Sequence, residues 1–211
     1  MDADQVRALF TRADGQYLCA RWGRPIVPVV FGVEEATLSV VKGAIEAVVA
    51  LAGHRMAETD PELGANLMVF FFRDWAELPG VPNLDRLIPE LRPLCDRLAA
   101  ADANQYRIFR FDPDGAIRAA FVFVRMDAHL SAVPAETLAL LQAVQVILLW
   151  SDLAFTDASP LVQGREGAVM LRPDIAAVIR AAYDPVLPAV AQDSAHALRL
   201  AARTGPVGRV V

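Results

Sequence analysis

Apolar positions recur along this chain with different periods, and those periods predict its elements. Residues 34–53, "EEATLSVVKGAIEAVVALAG", place Leu38, Val41, Ile45, Val48 and Ala52 on one face and Ser39, Lys42 and Glu46 elsewhere. That spacing, with acids in the first turn and Gly53 as a stop, predicts an amphipathic helix. Residues 25–33, "PIVPVVFGV", are β-branched and aromatic and predict a buried strand, with Pro28 placing it at a sheet edge or a bulge. Residues 65–72, "ANLMVFFF", are apolar on both faces, as in a strand inside a sheet with both sides covered. "YRIFRF" and "AIRAAFVFV" flank the turn "DPDG", whose Gly115 can take positive φ, and predict a hairpin over 106–124.

Other stretches are less regular. Asp14-Gly15 is a turn signal in a segment that reads as a first hairpin arm or a lead-in. Residues 75–102 hold a proline-rich loop and then a helix from about Leu84, kinked or broken near Pro89 and Pro93. Pro134, Ala135 and Glu136 open a helix over 137–153. Two further helical patterns, 172–184 and 192–203, close the chain. The order β, α, β, α, hairpin, α and two helices fits one mixed sheet with packed helices. The expected organisation is a single α+β domain over 20–204, with a lead-in over 1–19 and a tail over 205–211.

Composition narrows the partners. With 211 residues, 55% of them hydrophobic, the chain is long enough for one well-filled core. A net charge of −5, with both signs interspersed, offers no basic patch for a phosphate backbone, so no nucleic acid is expected. No apolar run reaches the roughly 18–20 residues of a membrane span. Acids follow Met1 and no apolar leader core is present, so the chain as given is expected to be cytoplasmic. Cys19 and Cys95 have neither metal-ligand nor redox-motif spacing and are expected as two buried thiols.

Familiar reaction chemistry is missing from the motifs. His54, His129 and His196 are far apart; only His54 has a carboxylate, Glu58, at helical spacing, and surface or loop positions are expected for them. There is no glycine-rich phosphate loop and no nucleophile elbow around any serine, so no nucleotide cofactor and no metal is expected. Glu34-Glu35 and the pair Asp112 and Asp114 sit where carboxylates cap or turn the chain. Asp152 and Asp157 flank a loop, with capping again the expected role. "VFFF" and "FVFV" read as core filling. Trp22 and Trp75 lie beside predicted loops, where they would line a groove or stand alone on the surface.

The remaining oddity is "TLALLQAVQVILLWSDL", residues 137–153, which is apolar on nearly every side yet carries Gln142 and Gln145. Taken with "RWGRPIVPVVFG", "ANLMVFFF", "AIRAAFVFV" and "LRPDIAAVIRAAYDPVLP", it resembles, from about residue 20 to residue 200, an uncharacterised family of bacterial proteins related to zincin-type metallopeptidases. In that family a helix of the form E-E-x-x-Q precedes an Asn-Asp pair; the matching residues are Leu141, Gln142, Gln145, Leu149, Ser151 and Asp152. The family's closing "LTxxD…LYDPRL" pattern is met by Asp174, Tyr183, Asp184 and Pro185. Both acids of the E-E pair are replaced, and the family's usual exported location leaves export open.

The resemblance implies a zincin-like fold, a mixed sheet with packed helices, and it locates the lost chemistry. In an H-E-x-x-H helix, residues i and i+4 share a face and hold one zinc while the intervening glutamate polarises water. The corresponding positions here are Leu141, Gln142 and Gln145. Leucine has no lone pair, Gln142 accepts no proton at neutral pH and Gln145 is a feeble zinc ligand. An unpaired buried amide costs about 1–3 kcal/mol, so both glutamines are expected to hydrogen-bond backbone groups of the neighbouring edge strand or of the loop after Asp152. Glutamines that merely line a polar stripe would face solvent instead. The expectation is a non-catalytic binding or scaffold domain with a cleft over the 137–152 helix, lined by Gln142, Gln145 and Asp152 and without catalytic residues. Its partner is an unknown protein or small ligand. The competing reading is a hydrolase that uses Asp152, Gln145 and Asp157 in that cleft. A third is an assembly subunit such as a homodimer, which an exposed apolar patch would mark.

Overall fold

Seven strand residues before "DPDG" and nine after it form the hairpin that organises the sheet. A computed structural model describes residues 1–164 and 167–205, and in it β4 (Gln105–Phe111) runs antiparallel to β5 (Ile117–Arg125) across a turn with Gly115 at φ +86°. The sheet has four strands in the order β2 (Pro28–Phe31), β3 (Leu67–Phe72), β5, β4. β2, β3 and β5 are parallel, leaving β4 as an antiparallel edge. Pro28 opens the opposite edge strand, where its missing N–H interrupts no ladder.

Strand alternation divides the interior into two cores. Leu67, Val69 and Phe71 of β3 and Ala120, Val122 and Val124 of β5 face the larger core. It is completed by α2 (Glu35–Leu51), α5 (Ala135–Ile147), α6 (Pro173–Ala182) and α7 (Ala195–Thr204). Phe70, Phe72, Phe121 and Phe123 point the other way, onto a 3-10 turn (Trp75–Gly80), α3 (Leu84–Leu87) and α4 (Leu91–Ala100). Helices lie on both faces of one mixed sheet, and the chain is an α+β domain.

Several expectations are refined. The helix expected from about Leu84 is two helices, because Glu90 takes φ +58° just after Pro89. Pro93 falls in the first turn of α4, where its absent N–H has no partner to lose. The N-terminal segment forms α1 (Ala3–Ala8), whose Val6 sits with Phe10 fully buried in the larger core. Farther along, β1 (Cys19–Ala20) pairs with β8 (Val190–Ala191), and a short hairpin, β6 (Leu161–Gln163) and β7 (Val169–Leu171), follows the loop after α5. Of the expected tail over 205–211, all but Gly205 lies outside the described residues. Both cysteines are buried thiols without a disulfide, and burial pushes the Cys19 thiol up to about 12. Among the described residues no helix is long and apolar enough to cross a membrane.

The helix expected over 137–153 ends at Ile147, and Leu148 is extended and bridged to Arg21. A buried helix end needs partners for its last carbonyls. Here aromatic side chains supply them: Trp150 Nε1 donates to Val144 O, Trp22 Nε1 to Val146 O, each at 2.8 Å, and Tyr183 Oη to Ile147 O at 2.8 Å. Trp22 and Trp75 are therefore core residues and not surface positions, with Trp75 also lining a small groove against α4; Trp75 Nε1 donates to Ala103 O at 2.7 Å.

Of the histidines, His129 is exposed and His54 lies in the loop after α2, as expected, and only His196 departs from the expectation. His196, on α7, is buried and shares a 3.0 Å hydrogen bond with Tyr17 Oη. His54 is half-buried, its Nε2 2.8 Å from Arg24 O, while Glu58 is exposed. Burial lowers the pKa of both rings, helped at His196 by Arg199 and Arg203 and at His54 by Arg21 and Arg55. The folded state then binds fewer protons than the unfolded state just below the ordinary histidine pKa. The stabilisation is present above about pH 6.5 and is lost as pH falls toward the folded values. Urea midpoints should drop between pH 7.5 and pH 5, and His196→Gln should flatten part of that drop; an unchanged slope in the variant would assign the dependence elsewhere.

Candidate functional site

Helix α5 and edge strand β4 meet through polar side chains. On β4 the alternation puts Phe109 against the larger core and Tyr106 and Ile108 against the smaller one, so Gln105 and Arg107 share the face turned to α5. Gln142 and Gln145, three residues apart, share a face of α5. Arg107 Nη2 donates to Gln105 Oε1 at 2.9 Å, to Gln142 Oε1 at 2.7 Å and to Gln145 Oε1. Gln142 Nε2 closes the cluster by donating to Gln105 Oε1 at 2.9 Å. Gln142 is 3% exposed and Gln145 is half-buried, so the solvent-facing polar stripe is excluded. The expected edge strand is the partner, but through its side chains and not its backbone, because β4 reaches α5 with long polar groups between them.

The guanidinium at the centre is the unusual feature. Arg107 Nε is enclosed with no hydrogen-bond partner, and among the described residues no carboxylate pairs with the group. Burial alone pulls its pKa down to about 10, which still leaves it charged at neutral pH. Three amide oxygens hold its position without neutralising it. No protein-family model, curated protein or solved structure matches this chain. What the cluster does must come from its geometry.

Two cavities flank the cluster, and Gln105 lines both. The first, about 450 Å³, is lined by Arg12, Arg107, Gln145, Trp150, Asp152 and Phe155, among others. The second, about 480 Å³, is largely aliphatic, with Leu130, Leu138, Leu161 and Val162 in its walls. Leu141 faces the second. In place of one cleft lined by Gln142, Gln145 and Asp152, two spaces lie beside α5.

Asp152 lines the first cavity, yet it stands on the turn after α5 and not on the helix. Its Oδ1 accepts from Ala13 N at 3.1 Å, the capping role expected of it. Asp157 is exposed and outside that lining. Among the described residues no three of His, Cys, Asp and Glu gather as metal ligands. Gln145 and Asp152 therefore line the first cavity while Gln142 lines neither, and the two glutamines are joined by two residues that sequence reasoning passed over, Gln105 and Arg107. The available signal was the polar parity of 105 and 107 within "QYRIFRF", opposite a helix with two amides.

Removing one member should be costly. Gln142→Leu strips an acceptor from Arg107 and a donor from Gln105 inside the protein, and a loss of about 1–3 kcal/mol is expected in urea unfolding. Combining it with Arg107→Leu should cost less than the two single changes summed, since replacing a buried polar group together with its partner is milder than orphaning one of them. Additive losses would show that the cluster does not act as a unit.

Proposed function

We propose that this chain is a non-catalytic binding domain on a zincin-like framework, in which the cleft between β4 and α5 receives a small ligand without hydrolysing it. The observation that carries the reading is the Arg107 guanidinium, held by Gln142 and Gln145 on the helix face where the resemblance would put a metal ion and its base. A fixed positive charge disfavours a cation there: at about 4 Å and an effective dielectric near 20, each pair of unit charges repels by about 4 kcal/mol. An antiparallel edge strand beside that helix, and a tyrosine of the "YDP" segment bound to the helix end, support the framework. A first cavity of about 450 Å³ suits a small molecule better than a protein segment. The hydrolase reading gains nothing from Asp152, whose Oδ1 is engaged with Ala13 N.

Metal content and peptidase activity test the proposal together. Protein incubated with equimolar zinc and dialysed should retain well below one ion per chain and leave peptide substrates intact. Stoichiometric zinc, or cleavage, that disappears in Gln145→Ala would overturn it.

A further inference from the structure

Resting on that binding-cleft reading, we propose that the ligand of the first cavity is a small monocarboxylic acid with an aromatic or apolar body, its carboxylate paired with Arg107. The protein fixes the guanidinium through Nη2 alone, using three neutral amide oxygens. Its Nε is enclosed by the protein without a partner, and its Nη1, which makes no hydrogen bond among the described residues, is the donor left open. A half-buried cation with a donor open to the cavity and no counter-charge is an unfinished arrangement: the same geometry with a protein carboxylate would be an ordinary ion pair. A ligand carboxylate is the group that completes it, since an anionic oxygen accepting from Nη1 supplies the charge-assisted bond that the neutral amides do not.

The rest of the lining selects the class of acid. Arg12 and Arg107 stand against Asp152, leaving one net positive charge, which balances a monoanion and disfavours a phosphate dianion. Phe109, Leu149, Trp150 and Phe155 supply apolar wall for the body of the ligand. Trp150 is fixed there by stacking on Phe10 at 5.2 Å, by an edge contact with Phe155 at 5.1 Å and by its bond to Val144 O. The aromatic wall is thus rigid before any ligand arrives, which limits the ordering that binding requires.

The test is a titration of the full chain with phenylacetate, indole-3-acetate and their neutral amides, read by the indole N–H NMR signals of the three tryptophans. Trp150 should shift on adding acid while Trp22 and Trp75, buried outside the cavity lining, stay fixed. The acids should bind at least ~10-fold tighter than the amides, and Arg107→Gln, which removes the charge, should weaken them ~10-fold or more. Amides that move Trp150 as tightly as the acids would overturn the carboxylate assignment while leaving the binding cleft standing. Acids that leave Trp150 unmoved would overturn the assignment as well. The cleft reading itself fails only through the zinc and peptidase assays above.

Discussion

Trp22→Ala is expected to lower stability by about 3–5 kcal/mol, the range for emptying a buried aromatic site. Trp22 is 1% exposed and fills the larger core where β1, α5 and α6 converge. Its indole also donates to Val146 O in the last turn of α5, so the truncation leaves a buried carbonyl without its donor. Trp22→Phe separates the two contributions. It keeps most of the apolar volume and loses the donor, and about 1–3 kcal/mol should go with it. Urea unfolding of both variants gives the values; a phenylalanine variant as stable as the parent would mean that the Val146 carbonyl finds another partner and that the aromatic cap on α5 is ornamental.

Gly32→Ala should be at least as damaging, with an expected loss of about 3 kcal/mol or more. Gly32 follows β2 at φ +80°, where a side chain is strained by about 1–3 kcal/mol, and an added Cβ would lie 1.9 Å from the backbone oxygen of Phe71 on β3. That oxygen belongs to a sheet strand and cannot swing aside as a flexible side chain would, so β2 must separate from β3. Gly43→Ala is the control. Gly43 lies in α2 at ordinary helical φ with nothing within 4 Å of the added Cβ, and alanine there should stabilise by about 0.5–1 kcal/mol. Melting temperatures that move together in both variants would rule out the close approach as the cause.

Local patterns were legible wherever burial imposed a period on the chain. The α2 face of Val41, Ile45 and Val48, the two-sided apolar run of β3 and the turn at Gly115 appear in the structure because each reports a backbone geometry that neighbours in sequence decide. Helix ends were less legible. Nothing between Ile147 and Leu153 forbids a helix; α5 stops because Ala20, Trp22 and Tyr183, distant in sequence, bind the backbone at its end. The same distance hid His196 and Trp22, whose burial depends on partners contributed by other elements.

From the sequence by itself came an α+β chain, Pro28 at a sheet edge or a bulge, and a helix whose Leu141, Gln142 and Gln145 cannot perform zinc chemistry. That much depends only on periodicity and on what each side chain can donate or accept. The charge those amides hold was settled by tertiary structure alone. Strand parity turned Arg107 inward, the position of β4 at the sheet edge carried it to α5, and the fold paired it with no described carboxylate. A side chain's chemistry is local, but the field it sits in is made by groups that only folding brings within a few ångströms.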